Sequence, residues 1–396
     1  MTVREADVIV VGGGPVGLLL AGLLGRDGSL VVVLEAEAHS PSRSMAIGIT
    51  PPSMDILEIL GLAGRFVERG VRVETAVVHE RGRIAGRLRL SRLPAPFNFI
   101  LTLPQTDTVR LLREHLDSSP GVRVYSGWRA AELKQDGERV CVRAVDGASG
   151  NETTVSAPLA AGCDGARGPI RGWLGIDKPE RAYAPMFRMA DYPDDSGLGP
   201  EAHLFFGPER PVESFPLPGG RRRWIVRRGL RGRADLAEPM ESAVERLAGF
   251  ALDAREAGNG SDFQPRYALA RRWVLGRVAL CGDAAHVMSP IGGQGMNTGF
   301  GDAAHLARAM GAILDDACAP AVAFRGYEER RRRAFRVAAL RSALGMSLGV
   351  ARGTPASRMR GALVSALLGG EPSSRFIARW FAMRSLPHPM EGVDPT

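Results

Sequence analysis

The 396-residue chain contains no run of about 18 apolar residues, so nothing in it reads as a membrane span. Cysteine is scarce: Cys141, Cys163, Cys281 and Cys318 lie far apart and form no C-x-x-C pair. This pattern supports neither a zinc site nor a disulfide framework, and a reducing, cytoplasmic location is expected. The seven histidines show no metal-ligand spacing, so no metal is expected. The N-terminus lacks the apolar stretch and cleavage site of a signal peptide. Arginine far outnumbers lysine, and the net charge is +8. The arginines are spread along the chain with little aromatic interleaving and no helix-turn-helix or RNA-binding signature. They read as solvated surface plus some phosphate binding, and no nucleic-acid partner is expected. The 45% apolar and 24% charged content is that of an ordinary soluble protein, long enough for two or three domains.

What the chain does have is glycine placed directly after apolar strands. Asp7 to Glu35 reads as a strand (Val8 to Val11), a Gly-rich turn, an apolar helix and a second strand ending on Glu35. Gly12, Gly14 and Gly17 stand at the G-x-G-x-x-G spacing, Pro15 opens the helix, and the acid follows about 20 residues on, as a dinucleotide site requires. Gly12 permits the tight turn, Gly14 has no Cβ to block a pyrophosphate, and Gly17 lets the helix pack closely on the strand. Free amides at the helix N-terminus face the phosphates, and Glu35 can accept from a ribose diol.

The theme recurs twice. Leu159 to Gly162 runs into Cys163-Asp164-Gly165, and Val278 to Cys281 runs into Gly282-Asp283 and a glycine loop, with a helix from about Gly295 to Leu314. Carboxylates at such strand ends lie at the carboxyl edge of a sheet, where α/β proteins place ligands. Between these units the texture is sheet-like. Strands are expected over 71–78, 83–90 and 97–103, a helix over 108–116, and a hairpin turn at 215–220 between 203–206 and 224–227. One helix is expected over 239–252 and a long one over 321–347, whose Arg330 to Arg333 read as a solvated face. Two short helical stretches follow, broken by Gly369-Gly370. Arg43 can pair with phosphate or be a plain surface arginine, and Gln105 can bond a ligand or simply cap its helix.

Together, the three motifs in this order resemble the FAD-dependent aromatic hydroxylases, the single-component flavoprotein monooxygenases typified by para-hydroxybenzoate hydroxylase. The likeness covers about residues 5 to 345, and from Arg43 through Pro94-Ala-Pro-Phe97 to Leu103-Pro104-Gln105 it looks most like the members acting on phenols and aromatic polyketides. It implies an α/β fold: a Rossmann-like, three-layer ββα FAD-binding domain (1–70, 104–174, 273–320), an interleaved sheet-rich substrate domain (71–103, 175–272) and C-terminal helices (321–396). The thioredoxin-like C-terminal domain common in those members is not seen. Gly12, Gly14, Gly17 and Glu35 would hold the ADP half of FAD, while Arg43 and Gln105 match positions that contact the cofactor. Asp164 would serve both FAD and NAD(P)H, Gly282-Asp283 the ribityl chain, and Pro290 to Asn297, including Gly293, Gly295 and Met296, the isoalloxazine. A helix beginning near Gly295 also offers amides to the negative charge of a reduced flavin. Where the family's Asp-Gly motif usually carries serine, this chain has Gly168, although Arg171 keeps the arginine that follows.

The chemistry implied is reduction of FAD by NADPH or NADH, addition of O2 at C4a, and transfer of the terminal hydroperoxide oxygen to an electron-rich aromatic small molecule. No catalytic base is required; His286, inside Gly-Asp-Ala-Ala-His, reads as structural sooner than as a proton carrier. Substrate is expected near 203–206, 215–217 and 224–227, lined by Phe205, Phe215, Trp224 and Pro290. Baeyer-Villiger or epoxidising oxygenation, a non-oxygenating FAD oxidoreductase, a simple NAD dehydrogenase and a non-catalytic FAD module stand as alternatives. Monomer and homodimer are both compatible with the sequence.

Overall fold

The computed structural model describes residues 2–39, 45–207, 210–230, 238–290, 292–350 and 354–385. Val8–Val11, wholly buried, is central to a six-stranded sheet. Its order is Val274–Leu275, Val278–Leu280, Leu159–Gly162, Val8–Val11, Val31–Glu35, Val122–Ser126. Neighbours run parallel except the terminal Val274–Leu275. Strands covered on both faces need continuous apolar runs, which is what Val8–Val11 and Val31–Leu34 supply. Helices Pro15–Arg26, Gln105–Asp117 and Gln294–Leu314 form one covering layer. The other is a four-stranded sheet of Thr2–Glu5, Trp128–Gln135, Val140–Asp146 and Glu152–Ala157.

A second, seven-stranded sheet runs Gly258–Phe263, Pro185–Pro193, Arg221–Leu230, Val212–Leu217, Ala202–Phe206, Thr75–Glu80, Arg83–Arg89. Its only parallel pairing, Ala202–Phe206 with Thr75–Glu80, joins the early and late segments of the chain. Helix Met240–Ala248 covers one face, packing with Ala190, Tyr192, Phe205, Val212, Trp224 and Val226 in a core of its own. The helix is shorter than the sequence suggests because Gly249, at φ +82°, takes the left-handed conformation that terminates it.

Three local expectations are corrected. The strand over 71–78 is broken at Glu74, and Val71–Val73 pairs with Ile100–Thr102, which pairs with Gly48–Ile49 in a small separate sheet. Since Phe99, Leu101 and Leu103 pack in the first core, segment 71–103 is divided between the two units. Phe215 to Leu217 are strand, and the turn falls at Pro218–Gly220, where Gly219 and Gly220 adopt positive φ. The basic run is not a solvated face throughout. On helix Pro320–Val350, Arg331 is buried against Asp302 (2.7 Å) and Arg332 reaches the Ala270 carbonyl (2.7 Å).

Helices Thr354–Gly369 and Glu371–Phe381 return to the large sheet. There the buried Arg360 pairs with Glu80 at 2.7 Å, Ser357 donates to the same carboxylate, and Arg360 lies over the Phe206 ring. Arg384 pairs with Asp55 on the opposite side, so this segment ties the two units together. Among the described residues no helix is long and apolar enough to cross a membrane.

Candidate functional site

The register of the parallel sheet brings the three glycine turns together. Gly162 is level with Val11 on one side and Leu280 on the other, and Val11 is level with Leu34. The chains therefore leave the sheet at one carboxyl edge, stitched by Cys163 N–H to the Val11 carbonyl (2.7 Å) and Cys281 N–H to the Gly162 carbonyl (2.9 Å). Gly12 has φ +110°, and any Cβ there would overlap the Cys163 carbonyl; a Cβ on Gly17 would overlap the Gly12 carbonyl. A Cβ on Gly14, by contrast, would meet nothing within 4 Å, so the mouth of the turn is open space. Gly14 caps the helix with Pro15 at its first position and no side chain satisfying the amides. The Glu35 carboxylate accepts from Gly13 N–H at 2.5 Å and from Glu37 N–H at 2.8 Å, which fixes it beside that mouth.

At the second turn, Asp164 accepts from Ile170 N–H at 2.8 Å through Oδ2, while Oδ1 is buried with no partner among the described residues. Burial pushes this carboxyl above the usual carboxylate range, against the opposing bond from Ile170. At the third turn, Asp283 has an accessible carboxylate although protein surrounds it on most sides, the situation of a residue at the bottom of a cleft. The low polarity around it raises its pKa, opposed by His286 and Lys178. Lys178, which belongs to no motif in the sequence, clamps two of the turns by donating to the Ala166 and Asp283 carbonyls at 2.9 Å each. Burial lowers its pKa to about 8.

Helix Gln294–Leu314 starts at this edge, with Gly293 at φ +66° as its cap and neither a side-chain cap nor an acid in the first turn. Its amides are thus not neutralised by side chains. Gln294 leaves a second buried acceptor, Oε1, without a partner among the described residues. Pro290 and Gly293 are exposed, Gly295 and Met296 half-buried. Asn297 is committed to backbone: Nδ2 donates to Gly48 (2.9 Å) and Gly293 (2.7 Å), and Oδ1 accepts from Thr50 N–H (2.9 Å). Gln105 holds the same connecting segment, accepting from Ala46 N–H at 3.2 Å. Arg43 lies outside the described residues. His286 is buried between Trp273 and Phe335, with Nε2 2.5 Å from Asp302, and so faces the core and not the cleft. Asp302 also holds Arg331 and the Gly282 N–H; burial opposes its ionisation, but His286 and Arg331 together bring its pKa below the usual carboxylate value.

The large sheet corrects two expected substrate contacts. Phe205 and Trp224 point into the core beneath helix Met240–Ala248, with ring centroids 6.2 Å apart. Side chains alternate along a strand, so their sequence neighbours occupy the other face. On that face Leu204, Phe206, Glu213, Phe215 and Ile225 are all half-exposed although they lie mid-sheet, which marks an open hollow. Arg223 stands beside Phe215 on the same face, ion-paired with Asp191 at 2.6 Å, and donates to the Met45 carbonyl at 2.9 Å. Met45 to Thr50 leads directly to Asn297 and the third turn. Phe215 thus lines the side of the sheet that looks toward the turns, and Phe205 and Trp224 do not.

The family described as FAD binding domain matches residues 5–341, through both units. This chain belongs to that family. Rifampicin monooxygenase of Streptomyces venezuelae is 33% identical over 330 residues, 78% of this chain and 64% of its own length. The chain therefore spans less than two-thirds of that relative. Among solved structures, p-nitrophenol 4-monooxygenase from Pseudomonas putida superposes with a TM-score of 0.85 at 24% identity, covering 96% of this chain and 99% of that one, a likeness of fold. Anhydrotetracycline hydroxylase from Streptomyces rimosus superposes at 0.79 with 26% identity, covering 99% and 78%.

The residues present fit the family's FAD. The open space at Gly14 suits a pyrophosphate, and the lone Asp164 Oδ1 and the accessible Asp283 carboxylate offer acceptors on the same edge to a ligand rich in hydroxyls.

Proposed function

We propose that the chain is an FAD-dependent monooxygenase that consumes NAD(P)H and O2 to hydroxylate an aromatic small molecule, phenolic or polyketide-like. The observation that supports it most is that the family match runs through the glycine-turn edge and the large sheet alike. A simple dinucleotide enzyme would need only the first turn. Gly12, Gly14, Pro15, Gly17 and Glu35 would bind the ADP half, with Asp164, Asp283 and the helix beginning at Gln294 taking the remainder. When bound, the flavin draws electrons from NAD(P)H and activates O2 for transfer to the ring. The protein's part is to hold the ring over the half-open sheet face at Phe215, to exclude water from it, and to present helix amides to negative charge. His286 keeps the third turn in place through Asp302 and carries no proton for the reaction.

The test is direct. The purified protein is expected to be yellow, and its NADPH and O2 consumption to rise with one class of a panel of phenols and multi-ring aromatics, giving a product heavier by one oxygen. A ring-expanded ester or an epoxide would move the reading to another oxygenation. A colourless protein, or bound FAD that no nicotinamide donor reduces with any ligand present, would refute it.

A further inference from the structure

Glu213 is a carboxylate in an unusual place. It is the second residue of strand Val212–Leu217, opposite Leu204 on one side and Ile225 on the other, so its cross-strand neighbours on the hollow's wall are apolar. Its own strand continues that wall with Phe215. No donor reaches its carboxylate among the described residues. The charged groups nearest it on the same sheet face are already engaged: Arg223 with Asp191, Glu80 with Arg360 of helix Thr354–Gly369, and Arg227, which is buried and itself partnered. The histidines His79 and His203 lie on the opposite face, stacked on Phe205. A strand face that packed only against protein would not keep an unpaired acid there, because desolvating a charge without a partner is costly.

We propose that Glu213 determines specificity: its carboxylate accepts a hydrogen bond from the hydroxyl of an uncharged phenolic substrate and repels aromatic acids. This rests on the monooxygenase reading and narrows it. A half-exposed acceptor set in an apolar wall disfavours ligands that cover it and leave it unpaired, and a like charge placed against it is disfavoured more strongly still. Arg223 and Arg227, the cations beside Glu213 on this face, are both engaged and do not stand ready to receive a substrate carboxylate. Burial alone raises the Glu213 pKa to about 7, so the selectivity should depend on pH. Above that value the ionised group accepts from the phenol and repels the acid; below it both effects fade.

FAD-loaded wild type, Glu213→Gln and Glu213→Leu are titrated with naphthol and the matching hydroxynaphthoate, following the flavin visible spectrum about one unit above and below pH 7. Wild type is expected to prefer naphthol roughly 100-fold on the alkaline side and at least tenfold less on the acid side, following the ionised fraction. In Glu213→Gln the preference falls about tenfold and no longer depends on pH, and Glu213→Leu also loses affinity for naphthol itself. An unchanged, pH-dependent preference in Glu213→Gln with a normal flavin spectrum overturns the assignment. If both variants lose FAD, the wild-type titration decides, since a preference flat across pH overturns it as well. A wild type whose flavin responds to neither ligand nor to any aromatic in the wider panel brings down the monooxygenase reading, and this inference with it. A response to naphthol without discrimination brings down Glu213 alone.

Discussion

Gly168 stands where a serine would be expected, and its surroundings make the exchange costly. A Cβ at this position falls well under 3.0 Å from Asp164 Cβ, Cγ and Oδ2. The obstruction is a short, fixed side chain whose Oδ2 accepts from Ile170 N–H at 2.8 Å. In Gly168→Ser the carboxylate must swing away, which forfeits a bond to a charged acceptor worth about 1.5–3 kcal/mol. Residual crowding adds about 1–3 kcal/mol. Because Asp164 can turn toward the cleft and recover hydration, the net loss expected is about 2–4 kcal/mol. On a chain this long that lowers the melting temperature by about 2–5 °C. Gly172→Ala is the control four residues away, since its Cβ would meet nothing within 4 Å and the change should be neutral or slightly stabilising. Differential scanning calorimetry on both variants and on Asp164→Ala/Gly168→Ser supplies the comparison. With the carboxylate gone but the Cβ retained, the serine no longer displaces a bonded carboxylate and should cost only the residual crowding, about 1–3 kcal/mol beyond Asp164→Ala alone, less than it costs in the wild-type background. If Gly168→Ser melts with Gly172→Ala, the Asp164 carboxylate is not held in that space and the account of the second turn is wrong.

Gly14 and Gly17 separate binding from folding. Gly14→Ala should leave thermal stability within about 0.5 kcal/mol yet weaken FAD binding at least tenfold by fluorescence titration, whereas Gly17→Ala, blocked by the Gly12 carbonyl, should fail to accumulate as folded protein. The two faces of the large sheet are distinguished by Phe205→Ala, expected to cost about 3–5 kcal/mol in urea unfolding, and Phe215→Ala, expected to cost less while raising KM for the aromatic substrate. An equal KM effect from both would contradict the assignment of faces. Asp302→Ala strands the buried Arg331 and leaves His286 Nε2 without its partner, and should cost about 3–5 kcal/mol near neutral pH. Because the native pKa of Asp302 is lowered, its stabilisation is present above the ordinary carboxylate pKa and is lost as pH falls through the native value; the deficit of the variant should therefore shrink in acid.

Much of the cofactor edge was legible because local backbone chemistry dictates it. A strand of β-branched residues, a glycine needed at φ +110°, a helix opened by Pro15 and an acid at the next strand end each follow from neighbouring residues, and the three-fold repetition predicts three turns at one sheet edge. The long helices and the break at Gly369-Gly370 were legible for the same reason.

The large sheet was legible only as texture. Which of Leu204, Phe205 and Phe206 faces the hollow depends on register against Thr75–Glu80, a strand from more than a hundred residues earlier, and a slip of one position exchanges the faces. Composition cannot supply that register, so the larger aromatics Phe205 and Trp224 drew attention that belonged to their neighbours. Lys178, Asp302 and Glu213 went unnoticed because each depends on groups distant in sequence. Lys178 joins two turns, Asp302 joins a histidine to an arginine of the next helix, and Glu213 matters for the partner it lacks. The sequence by itself determined the elements and the cofactor turns, since those rest on bonding between near neighbours. Only the tertiary structure decided which side chains share the cleft, because burial and pairing are properties of surfaces that exist only once the two sheets have come together.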